Sequence, residues 1–192
     1  VVINKEVILN EAEVTEITVE GLGDNIVAAL PNYNDYSFIK VVLDQKSQNW
    51  FQHNLVKVSE PLSVGLVLRS LYDGVRDARF KASHFINVAS ALIAQINDNQ
   101  LIDLCYTYIS GAIGIIPGSK YSEVAHTLYR ATRAKVVGSD EPQFKLSMIE
   151  KLVGYGFHEE DVEDLKTWLE GTNEELGKNE LSLNQKWSIV FK

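Results

Sequence analysis

Histidine is the first residue type to test for chemistry, because imidazole serves both as a zinc ligand and as a general base. The chain has four, His53, His84, His126 and His158. No two of them stand four apart around a glutamate, so the zinc-protease pattern His-Glu-x-x-His is absent. The run His158-Glu159-Glu160-Asp161-Val162 begins like that pattern, but Val162 stands where the second ligand belongs. The run reads instead as a polar helix start, with acids near the positive end of the helix dipole. His84 and His126 fall inside amphipathic stretches, where a surface or hydrogen-bonded histidine is expected, and His53 has no carboxylate near it in sequence. A metal site built from these four would have to bridge separate helices, and no spacing supports one. The chain is therefore expected to hold no metal and to carry no catalytic or cofactor-binding residue of its own.

Other chemistries find no better footing. Gly111-Ala112-Ile113-Gly114 and Gly154-Tyr155-Gly156 are not phosphate loops, since neither leads into Lys-Ser/Thr within a strand–loop–helix unit. No Gly-x-Ser-x-Gly elbow occurs. The lone cysteine, Cys105, lies in an apolar periodic run and reads as a structural thiol. Two charged groups stand out. Residues 158–180 hold nine acids against two bases, Lys166 and Lys178, which reads as a solvated face or as a surface for a cationic partner or a substrate's amino end. Arg69, Arg76, Arg79, Arg130 and Arg133 could grip a peptide carboxylate from one side of a helical stack, or pair with the many acids.

Composition narrows the class. A chain of 192 residues suits one domain or one with a small appendage, and 45% hydrophobic against 23% charged residues permits a full core. The net charge of −8, without a basic stripe, argues against nucleic acid as a partner, because phosphate neutralisation supplies most of that affinity. No apolar run reaches the ~18 residues of a membrane span, so no membrane partner is expected. No signal peptide is visible, and the chain starts at Val1 without Met and stops at Lys192 just after an apolar run, which reads as two cut ends. One cysteine favours a reducing, cytoplasmic compartment.

Two structural regimes must position whatever the chain does. Residues 1–44 read as strands: Val7 to Leu9, Val14 to Val19, Ile26 to Leu30 and Phe38 to Leu43 are short, β-branched and separated by Asn, Gly and Asp. Residues 21–25 read as a hairpin turn, and the whole as a β segment ending a sandwich domain. From Asp44 the period becomes helical, and residues 45–192 read as a helical domain of eight amphipathic helices. Helix starts are expected near Ser59-Glu60-Pro61, Ser83, Asp98, Ser119, Ser139 to Pro142, Glu159 and the capping box Ser182 to Gln185. Short loops between such helices predict a mainly α fold, with antiparallel helix pairs stacked as an irregular α-solenoid.

The joint carries a resemblance. Its polar turn at Asn32, the strand with Phe38, Lys40 and Val41, and the closing Asp44 resemble the junction between the β-sandwich and helical C-terminal domains of zinc aminopeptidases of the aminopeptidase N and puromycin-sensitive type. Pro61, the run Leu71 to Asp77, the run Leu165 to Gly171 and Lys186-Trp187 resemble the helical domain that follows. Leu43 departs from the mammalian-type tyrosine, and Lys186 from the arginine common in the family. The zinc motif and the Gly-x-Met-Glu-Asn loop have no counterpart, and the only methionine, Met148, sits in Leu-Ser-Met-Ile-Glu. The resemblance implies a non-catalytic piece that encloses the cavity of the parent's catalytic domain and limits access by long peptides. The parent would remove N-terminal residues from peptides with one zinc ion. A free-standing helical scaffold for protein–protein interaction is the alternative, and the strand-like residues 1–44 weigh against it.

Overall fold

The computed structural model describes residues 4–9, 13–18, 25–175 and 181–192. Among these, eight α-helices follow one another: α1 (Gln45–Asn54), α2 (Pro61–Arg76), α3 (Ala82–Gln95), α4 (Asn99–Ile113), α5 (Tyr121–Gly138), α6 (Pro142–Tyr155), α7 (Glu159–Leu169) and α8 (Leu183–Val190). The fold is mainly α, in stacked pairs joined by short loops, α3 with α4 and α5 with α6. None of the helices is long and apolar enough to cross a membrane.

Several helix starts follow from local chemistry. Asp44 caps α1, its carboxylate accepting from the Ser47 amide at 3.0 Å, and Asp98 caps α4 by accepting from Leu101 at 3.0 Å. Each satisfies one of the amide donors a helix leaves unpaired at its start. Ser182 and Gln185 form the reciprocal capping box of α8. Other starts shift by a residue or more. Glu60 rather than Ser59 caps α2, because Pro61 takes the first helical position and Glu60 reaches the Ser63 amide at 2.7 Å. The third helix begins at Ala82 after Lys81 with no side-chain cap, and a 3-10 turn over Gly118–Lys120 precedes α5.

The β segment expected over residues 1–44 is not found: no strand forms among the described residues there, and the hairpin turn expected over 21–25 lies, but for Asn25, outside them. Residues 26–30 and 38–44 are extended chain laid on helices. Alternation is real between 41 and 43, with Val41 and Leu43 turned inward and Val42 outward, but the inward side meets helices rather than another strand. The Ser70 hydroxyl on α2 donates to the Val41 carbonyl at 3.0 Å, and the Ala29 amide donates to the Ser47 hydroxyl on α1 at 2.8 Å. A period of two marks a half-buried extended chain. It does not reveal whether the covering face is a sheet or a helix pair.

The core centres on α3, whose Phe85, Ile86, Ala89, Leu92 and Ile93 are fully removed from water. Helices α1, α2, α4 and α5 all pack against it. Two glycines permit close approaches. A Cβ on Gly111 of α4 would stand 2.0 Å from the Tyr72 hydroxyl of α2, so the absent side chain lets Tyr72 stack on Tyr108 with ring centres 4.7 Å apart. A Cβ on Gly156 would stand 2.5 Å from Leu165 Cδ1, so this glycine lets α7 fold back against the end of α6. These contacts account for one glycine in each of the two motifs, Gly111 and Gly156. Cys105 is buried in the same core, and burial pushes its thiol up to about 12, which leaves it inert.

Two outcomes test this packing. Trp168 is 3% exposed and its indole N–H finds no acceptor among the described residues, so it contributes through buried area. Trp168→Ala should cost about 3–5 kcal/mol in denaturant melts, in line with large-to-small core changes. Asp44→Ala, which strips the cap from α1 but buries nothing new, should cost only about 1 kcal/mol in the same measurement.

Candidate functional site

Helices α5 and α7 meet through a row of polar side chains, and this seam gathers most of the chain's chemistry. On α5, His126, Tyr129 and Arg133 lie three and four apart and share one face. On α7, Asp161 and Asp164 lie three apart. His126 Nδ1 lies 2.7 Å from Asp161 Oδ1, and the Tyr129 hydroxyl donates to Asp164 Oδ2 at 2.6 Å. Arg133 grips Asp164 in a fork, Nε to Oδ2 at 2.7 Å and Nη2 to Oδ1 at 3.1 Å, and its Nη1 pairs with Glu175 at 2.8 Å. Asn173, past the end of α7, donates to Asp164 Oδ1 at 2.9 Å. A planar guanidinium matches a carboxylate edge in this way, so the fork fixes the axial register of the two helices.

The electrostatics follow from these partners. Burial pushes the Asp164 carboxyl up, but the hydrogen bonds from Arg133, Tyr129 and Asn173 outweigh it and hold the group below the ordinary carboxylate range. Burial dominates at Asp161, which is 2% exposed, and raises its pKa although His126 pulls the other way. The Tyr129 phenol is pushed far up by burial and by donating to a carboxylate. It is a fixed donor at any working pH.

The start of α7 brings a second histidine to the seam. His158 is the N-cap, with its Nδ1 3.4 Å from the Glu160 amide, and Asp161 Oδ2 accepts from the His158 amide at 3.4 Å, so the two form a loose capping box. The expectation of a polar helix start holds. The His126 and His158 rings stand 4.4 Å apart between centres, and Glu160 Oε2 lies 4.0 Å from His126 Nε2. One ligand-type atom from each of His126, His158 and Glu160 can be chosen so that all lie within 4.8 Å of one another.

The other singled-out residues are placed elsewhere. His53 is exposed and bonded to the Asn49 carbonyl of its own helix at 2.8 Å, and the exposed His84 meets the Phe80 ring edge-on at 6.1 Å. Of the five arginines, Arg76 pairs with Asp73, Arg79 with Asp77, and Arg133 with Asp164 and Glu175. Arg69 and Arg76 line a cleft of about 340 Å³ with Phe38, Ile39, Lys40, Asp73 and Asp77. Asp73 and Asp77 there offset the arginines, so the cleft is not a purely cationic grip. The acidic stretch divides by face: Asp161 and Asp164 turn in towards α5, while Glu159, Glu160 and Glu163 are exposed, and Lys178 and Glu180 lie outside the described residues.

The joint is built by the residues that carried the resemblance. Asn32 adopts a left-handed backbone, φ 55°, and its side-chain amide donates to Asp35 and to the Ser37 carbonyl while its oxygen accepts from the Ser37 amide. Asparagine tolerates that backbone and supplies both donor and acceptor. Lys40 Nζ lies 2.8 and 2.7 Å from the two oxygens of Asp77 at the end of α2, and this pairing with Lys40, joined by Arg79, holds Asp77 below the usual carboxylate range. Beyond these anchors Tyr36, Phe38 and Val42 point outward, and Phe38 is fully exposed.

Sequence spacing did not reveal the meeting of His126 with His158, which stand on different helices. A signal was present in the stripe His126, Tyr129, Arg133 facing Asp161 and Asp164, since complementary polar residues at helical spacing on two helices suit a shared seam. No protein-family model matches the chain, and no curated protein matches it.

The seam predicts a pH response. A carboxyl held below its unfolded value contributes stability that is fully present above that value and is lost as pH falls through the folded one. Asp164→Asn should therefore cost about 1–3 kcal/mol at neutral pH, the scale of hydrogen bonds to a charged group. The gap from the unsubstituted chain should narrow in melts taken at successively lower pH, below the value of about 3.9 for a free aspartate.

Proposed function

We propose that the chain is a non-catalytic helical part of a zinc-dependent aminopeptidase, seated against the catalytic domain of the same parent chain. In this reading it walls the cavity in which peptides lose their N-terminal residues, and it limits entry by long peptides. One observation carries the reading. Of the joint residues that resemble the aminopeptidase junction, Asn32 closes the turn up to Ser37, and Lys40, Val41 and Asp44 tie the chain to α2 and α1, while Tyr36, Phe38 and Val42 beside them face outward. Large side chains held outward on a pinned segment suit burial against a neighbouring part of a larger molecule, because clustered apolar exposure marks contact surfaces.

The family's zinc ligands do not fit this chain. No His-Glu-x-x-His run occurs, and His126 and His158 come from two helices with an exposed glutamate, not from one helix face. The chain alone is expected to leave aminoacyl substrates uncleaved.

The test is reconstitution. The 192-residue chain, mixed with the polypeptide encoded upstream of it, should restore hydrolysis of N-terminal residues or change its dependence on peptide length. Replacing Phe38 by aspartate should weaken that association while leaving the helical circular dichroism unchanged, since Phe38 touches little within the chain. An upstream polypeptide without His-Glu-x-x-His, or one whose activity ignores the chain, would sink the proposal and favour a free-standing scaffold.

A further inference from the structure

The loose end of the α5–α7 seam has the makings of a cation site. Asp161 is almost wholly buried and lies 2.7 Å from His126 Nδ1. In neutral imidazole the proton sits on one nitrogen, so an Nδ1–H donated to Asp161 leaves the Nε2 lone pair open. A carboxylate behind one imidazole nitrogen, with the other free, is the arrangement that orients histidine ligands in metal proteins. His126 Nε2 then faces Glu160 Oε2 at 4.0 Å, with the His158 ring alongside.

We propose that His126, His158 and Glu160 bind a divalent transition-metal ion of the zinc class, with Asp161 as the residue that positions His126, and that the ion ties the first turn of α7 to α5. Two imidazoles and one carboxylate suit zinc and its transition-metal neighbours, whereas magnesium and calcium prefer all-oxygen ligands. Ligand bonds of about 2.0–2.2 Å place tetrahedral ligand atoms roughly 3.3 Å apart. The three candidate atoms, within 4.8 Å of one another, need shifts of about an ångström to reach that spacing. The moves fall on the movable groups. Glu160 is 78% exposed, and His158 gives up only its 3.4 Å cap contact when it turns a nitrogen to the ion. The positive end of the α7 dipole opposes a cation, and Glu159, Glu160 and Asp161 in that first turn offset it. Three protein ligands leave a fourth position to water. The site crosslinks two helices and belongs to no catalytic constellation in this chain. It departs from the expectation, drawn from spacing alone, that the chain holds no metal: the two histidines meet across helices, where Gly156 admits Leu165.

The test is titration of the metal-stripped 192-residue chain with zinc chloride by calorimetry, and with cobalt chloride by visible absorption. One saturable equivalent of zinc is expected, unaffected by a large excess of magnesium, with the intense cobalt bands of a four- or five-coordinate site. His158→Ala and Glu160→Gln, both at the surface end of α7, should each weaken binding while the circular dichroism stays unchanged. The pair His126→Ala with His158→Ala should remove it. Asp161→Asn should keep the stoichiometry and cobalt spectrum but lower affinity by about 10–100-fold, the usual cost of losing a partner behind a ligand. Absence of saturable binding, a weak six-coordinate cobalt spectrum, or binding that survives unchanged in His158→Ala would each overturn the site.

Discussion

The inner face of α3, Phe85, Ile86, Ala89, Leu92 and Ile93, is wholly shielded from water, and α1, α2, α4 and α5 each cover part of it. Burial of apolar side chains is the dominant favourable term in such a fold, at about 25 cal/mol for each Å² removed from water. Short helices are marginal alone, so each is stable because its apolar stripe finds this shared surface. The positions of α1, α2, α4 and α5 follow from how they settle on α3, while α6 packs on α5, and α8 on α6 and α7.

The α5–α7 seam is of another kind. Its contacts are directional: a forked arginine, a phenol and a histidine, each aimed at a carboxylate. Such bonds add little net stability beyond what water would have offered the same groups, but leaving one partner unmet in a half-buried place is costly. The seam therefore fixes register more than it adds stability. Apolar packing behind it, from Leu165 and Trp168, supplies the area.

The joint applies the same division at the other end of the chain. Val41 and Leu43 contribute apolar packing, Ser70 and Lys40 fix direction, and the residues between them face outward. A segment pinned on one side and apolar on the other has a surface to offer. That surface is the observation on which the proposed aminopeptidase reading rests.

Helix by helix, much of this was legible beforehand. Asp98, Ser182 with Gln185, and the acid-rich start after His158 mark helix ends through bonds that span only three residues, and such local bonds are written in local sequence. The period of 3.6 from Asp44 onward likewise depends only on which side chains avoid water. At residues 26–30 and 38–43 the strand reading went astray because a period of two records one covered face without saying what covers it, and here α1 and α2 do. The meeting of His126, His158 and Glu160 was decided by tertiary structure alone. It depends on Gly156 admitting Leu165 and on Arg133 setting the register against Asp164, contacts between residues far apart in the chain that no local spacing encodes.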